Sequence, residues 1–264
     1  MSNFYRIIIL IGIIISLSTV FLSVKKTENI SLKYNGKITY ENSSKEIKEK
    51  LASWRDYKNN SYLDTVKIYK KDYLSSIKFK QNINPRSWGE LYKFLAENDR
   101  NGLYLITSMF NEIRLNNNLS PYEFADIVVS FVQHIPYSLL VRKSCEEASN
   151  NLTIKKMLSN GVICDEEVYA GIYSPLEFIN NFKGDCDTRT VFLYSILSEF
   201  GYEVVILNSK LYSHSILGIN LPSSGNFKKY QGKKYYTWET TSTGWKLGHI
   251  PPEYINLNYW DVVL

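Results

Sequence analysis

The sequence predicts an α+β fold, and three observations carry that prediction. Strong helix-start signals recur from Ser87 to Ser174, a strand period takes over from Glu203, and the helices precede the strands rather than alternating with them. Size and composition agree. The chain has 264 residues, 44% of them hydrophobic and 22% charged, with 21 Tyr, enough for one domain with a core plus an appendage, or for two small domains. The net charge of +5 is spread over many Lys in polar, Asn-rich stretches and forms no basic run, which argues against a nucleic-acid partner.

At the N-terminus, Ile7 to Val24 gives 18 residues without a charge, bounded by Arg6 and by Lys25 with Lys26. That length suits a bilayer-spanning helix. The run closes on Val20-Phe21-Leu22-Ser23-Val24, a poor cleavage site, so an uncleaved membrane anchor over residues 1–26 is expected rather than a removed signal. A lone N-terminal span most simply exports the chain beyond it, which places the remainder outside the cytoplasm. Residues 27–85 read as a stalk and an unassigned segment, with one short strand near Ser31–Tyr40 and no clear period over 51–85.

From residue 86 the signals sharpen. Ser87-Trp88-Gly89-Glu90 has capping-box form and opens a helix to about Glu97. Leu103, Ile106, Phe110 and Ile113 fall at helical spacing. Ser120-Pro121-Tyr122-Glu123 opens a helix that ends before Pro136. Residues 138–172 form a long connection with a short helix near Ile154–Leu158. Ser174-Pro175-Leu176-Glu177 repeats the earlier opening, and its helix stops near Gly184. Asp187 to Phe200 then reads as a helix closed by Gly201, with apolar residues on most of its circumference, so it belongs in the middle of a core. Glu203–Asn208, His214–Asn220, Lys234–Glu239 and a run near Trp260–Val263 read as antiparallel strands.

Chemistry concentrates at Gly184-Asp185-Cys186-Asp187, the first turn of that buried helix. Unpaired N–H groups and the dipole at a helix start favour a thiolate. Asp185 and Asp187 act in the opposite sense through like charge, with Asp187 also stabilising the helix start and Arg189 offsetting both. A nucleophilic thiol needs a base and a group that orients the base. His214 lies 28 residues downstream at a strand start, and Glu239 lies 25 further at a strand end. Adjacent antiparallel strands can set the two side by side, with the helix presenting Cys186 to them. Each residue alone is more simply read as structure; the three in order are the informative pattern. Cys164, Cys186, His214 and Asp185 could be gathered into a metal site on paper, but no C-x-x-C or H-x-x-x-H pair supports one. His249 reads as a loop residue. In an oxidising compartment Cys145 and Cys164 could pair and leave Cys186 free; three unpaired thiols is the alternative.

Gly-Asp-Cys-Asp ahead of an apolar helix, then His on a strand, then an acid before Thr-Thr, resembles the transglutaminase-like superfamily. Within it the pattern looks closest to bacterial membrane-anchored domains. The resemblance covers roughly residues 120–264, including Phe131-Val132-Gln133-His134-Ile135-Pro136-Tyr137 and Glu239-Thr240-Thr241-Ser242-Thr243-Gly244-Trp245. It implies a papain-like core with Cys186 as nucleophile, His214 as general base and acid, and Glu239 orienting His214. Where the family carries Asp, this chain has Glu239, one methylene longer. By the same analogy the Cys186 N–H and the Gln133 side chain are candidate oxyanion donors. The implied activity is that of a cysteine peptidase or amidase on an envelope protein or peptide substrate, through a thioester and without a cofactor. The alternatives are a protein-crosslinking transglutaminase, or an inactive binding or scaffold module at the envelope.

Overall fold

The computed structural model describes residues 46–264. The apolar run Ile7–Val24 and the strand expected near Ser31–Tyr40 lie outside them. Among the described residues no helix is long and apolar enough to cross a membrane. The fold is mixed α+β, as expected, with its helices largely preceding an antiparallel sheet.

The described residues open with a hairpin of β1 (Ile47–Arg55) and β2 (Ser61–Tyr69), followed by α1 (Lys70–Asn82). Residues 51–85 thus have regular structure and belong to the main core. Ala52, Trp54, Val66 and Ile68 turn inward, and Trp54 meets Phe131 edge-on at 5.2 Å. Three helices come next: α2 (Trp88–Asp99), α3 (Tyr104–Asn116) and α4 (Pro121–His134). At α2 the expected capping box is only half made. Ser87 accepts from the Glu90 N–H, but the Glu90 carboxylate takes the Arg86 N–H at 2.6 Å instead. At α4 both halves form between Ser120 and Glu123, with Pro121 at the first helical position. Ile135 is extended, as the residue before a proline prefers.

The long connection carries more order than its composition suggests. It contains β3 (Ser138–Leu140), α5 (Cys145–Ala148), α6 (Leu152–Ser159) and β4 (Ile163–Asp165), with β3 and β4 pairing in parallel. A Cys145–Cys164 disulfide staples it and leaves Cys186 free. Beyond it lie α7 (Pro175–Asn181), again with a complete capping box, and α8 (Cys186–Glu199).

Helix α8 is buried nearly all round, because Val191, Phe192, Leu193, Ile196 and Leu197 cover its circumference. It ends where Gly201 adopts φ +81°, a left-handed turn that glycine accepts without strain. One flank of α8 meets α2, α4 and α7, with Phe131 and Phe178 both reaching Phe192. The other meets a five-stranded antiparallel sheet in the order β7-β8-β6-β5-β9. Its strands are β5 (Val204–Ser209), β6 (His214–Ile219), β7 (Phe227–Tyr230), β8 (Lys233–Trp238) and β9 (Asp261–Val262). The edge strand β7 has no counterpart in the sequence reading, since Lys228 and Lys229 mask its period.

Candidate active site

Cys186 is the first residue of α8, and two local features hold it there. Asp185 caps the helix by accepting from the Thr188 N–H at 3.0 Å. Gly184 sits so close to Phe178 and Thr188 that a Cβ would lie 2.8 Å from the Thr188 methyl. Helix α8 packs on β6, so the thiol meets the strand start. Ser215 Oγ, on that strand, donates a hydrogen bond to Asp187, the residue after Cys186. Cys186 is 8% exposed.

His214, one residue before Ser215, contacts Glu239 through Nε2 at 2.9 Å from Oε2. The β6–β8 register pairs Leu217 with Trp238, which brings the end of β8 to the start of β6. Glu239 lies one residue beyond β8 rather than inside it, and is 1% exposed. Its Oε1 accepts from Thr240 N at 2.8 Å, Thr241 N at 2.8 Å and Thr241 Oγ1 at 2.6 Å. The extra methylene of Glu is therefore accommodated by a turn folded back on its own carboxylate. Burial works against the charged form, but the His214 bond and charge and the Thr241 donors hold Glu239 down at about 2. An ionised Glu239 accepts the Nε2 proton, which leaves Nδ1 of His214 as the basic nitrogen.

The His214 ring is walled by aromatics. Tyr254 lies 5.1 Å away and Trp260 5.9 Å away, with Trp260 tied to the Tyr254 carbonyl at 2.9 Å. No short motif in the sequence announced this wall.

The thiol itself departs from expectation. Burial pushes the Cys186 pKa well up, the charges of Asp187 and Asp185 add to it, the Ser215 N–H opposes, and Glu239 adds again. The helix start does not win, so the resting sulfur is a protonated thiol. Asp185 is raised to about 7 by burial and by Asp187, against the pull of Thr188 and Arg189.

Two residues singled out in the sequence turn out to hold the frame. Gln133 donates from Nε2 to the carbonyls of Glu239 at 2.7 Å and Trp245 at 2.9 Å. Its amide protons grip the turn after the acid and are committed there. Arg189 does not pair with the flanking carboxylates by hydrogen bond; its donors go to main-chain carbonyls. The metal set conceivable on paper cannot assemble, because Cys164 is in the disulfide, and among the described residues no three ligating side chains gather. His249 contacts the Leu247 carbonyl at 3.3 Å, in keeping with a loop residue. No family model, curated protein or solved structure matches the chain.

Proposed function

We propose that this protein is a thiol acyl-transfer enzyme with a transglutaminase-like, papain-like core, acting as a cysteine peptidase or amidase. The observation that carries the reading is the 2.9 Å His214–Glu239 contact at the start of β6, the strand packed against the helix that Cys186 opens. Nδ1 of His214 takes the Cys186 proton as sulfur attacks an acyl carbonyl. The developing oxyanion is met by the Cys186 N–H, which opens α8 and has no partner within the helix. His214 then returns the proton to the departing amine, giving a thioester, and water completes hydrolysis. Because the thiol is protonated at rest, His214 works as a general base in the attack rather than as the partner of a standing thiolate.

The site lies outside the cytoplasm, tethered by the N-terminal apolar segment. The Cys145–Cys164 disulfide supports an oxidising compartment, and an envelope polypeptide is the substrate consistent with it. A second reading, an inactive binding module, draws on the carboxylates and burial that keep the thiol protonated. Trapping separates them. Incubation with a peptide aldehyde or an activated acyl ester, followed by intact-mass analysis, gives a covalent adduct on Cys186 of the enzyme. An inactive module gives none above the level of the denatured chain.

A further inference from the structure

Arg189 stands one helical turn after Cys186 on α8 and is completely buried, 0% exposed. A buried guanidinium is costly unless its donors are satisfied, and it normally finds carboxylates. Here it finds main chain. Nε donates to the Gly184 carbonyl at 3.0 Å, Nη1 to Val132 at 2.7 Å and Thr240 at 3.1 Å, and Nη2 to Ile135 at 2.6 Å. Gly184 lies two residues before the nucleophile and Thr240 one residue after the acid. Val132 and Ile135 lie at the C-terminal end of α4, where the Val132 carbonyl also accepts from the Ile135 N–H and so is shared with Arg189. The same end of α4 carries Gln133, whose amide holds the Glu239 carbonyl at 2.7 Å.

We infer that Arg189 is a positioning residue that sets the separation between Cys186 and the His214–Glu239 pair. The inference rests on the acyl-transfer reading given above. The guanidinium is planar and its donors leave at fixed angles, so it joins three chain segments into one frame. One segment carries the nucleophile, one carries the acid, and one is the helix end that braces both. Removing the fork lets the loop before Cys186 and the turn after Glu239 move independently. Displacement by about 1 Å from reacting geometry can cost about 100-fold in rate. Lysine keeps the charge but offers a single point of donation, so it cannot hold Gly184, Thr240 and the α4 end together.

The test uses the full-length protein and p-nitrophenyl acetate as the acyl donor, with single-turnover acylation of Cys186 read by intact mass. Wild type, His214→Ala, Arg189→Lys and the double variant Arg189→Lys/His214→Ala form a cycle, each assayed below its own melting temperature. Arg189→Lys should acylate about 100-fold more slowly, and His214→Ala should cost far less in that background than in wild type. Arg189→Ala should regain part of the lost rate on addition of millimolar guanidinium, a rescue that a purely structural role would not give. If Arg189→Lys acylates within about threefold of wild type while His214→Ala still abolishes the reaction, the positioning role is wrong and the acyl-transfer reading stands. If His214→Ala matches wild type, the acyl-transfer reading falls and this inference falls with it. Should Arg189→Lys fail to fold, the guanidinium response of Arg189→Ala decides, and its absence in folded protein overturns the inference.

Discussion

Replacing Asp185 with Asn should make the protein more stable as pH rises, and its thiol more acidic, through one removed charge. Asp185 is buried and pushed up to about 7 by burial and by Asp187. In the unfolded chain an Asp ionises near about 3.9. Between those values the unfolded state gives up a proton that the native state keeps, so the stability this group contributes is full below about pH 4 and is lost as pH rises through 7. The difference of about 3 units corresponds to about 4 kcal/mol at most. Asn keeps the cap on the Thr188 N–H, since Asn and Asp cap about equally well. It gives up about 0.3–1 kcal/mol of helix-dipole attraction. The variant should therefore lie within about 1 kcal/mol of wild type at about pH 4.5 and exceed it by about 2–3 kcal/mol at about pH 8. Urea denaturation at the two pH values measures this directly. The same substitution removes one of the carboxylates that hold the Cys186 thiol up. With that like charge gone, the alkylation–pH curve should shift to lower pH. A stability difference that is the same at both pH values would show that Asp185 does not carry the proton assigned to it.

Other parts of the fold give three further expectations. Lys80 and Glu177 form a buried ion pair at 2.6 Å, so Lys80→Met should cost about 3–5 kcal/mol by denaturation. Adding Glu177→Gln should recover most of that loss. Replacing Cys145 and Cys164 together by Ser opens a loop with a sequence separation of 19, and should cost about 3 kcal/mol by thermal melting. Gln133→Leu removes the side-chain donor to the Glu239 carbonyl and leaves the Trp245 carbonyl to the Trp238 indole, and should cost about 1–3 kcal/mol while slowing acylation of Cys186.

Elements with local signals were legible in the sequence. Ser120 and Ser174 each carry Pro next and Glu third, and both build complete capping boxes because every partner lies within one turn. Helix α8 was readable from an apolar circumference, and the strands from β5 to β8, apart from edge strand β7, from their period. The hairpin was not, because apolar residues occupy both of its faces. Trp54 and Val66 turn inward while Leu51 and Leu63 stand 69% and 67% exposed on the outside, which erases alternation. At the site, the order Cys186, His214, Glu239 was visible, but its surroundings were not. Arg189 beside two Asp reads as their counter-ion, whereas most of its acceptors are carbonyls some 50 residues away in sequence. The thiol pKa is set by tertiary burial and three carboxylates, which outweigh the helix-start effect that local sequence suggests.

The proposed chemistry stands or falls on whether His214, held by Glu239, activates Cys186. The deciding quantity is the single-turnover rate at which an activated ester acylates Cys186 near neutral pH in wild type, His214→Ala and Glu239→Gln. General-base assistance contributes about 10²–10⁴-fold, so His214→Ala should fall by at least about 100-fold, with Glu239→Gln between it and wild type. Equal rates in all three folded proteins would mean that the pair does not activate the thiol.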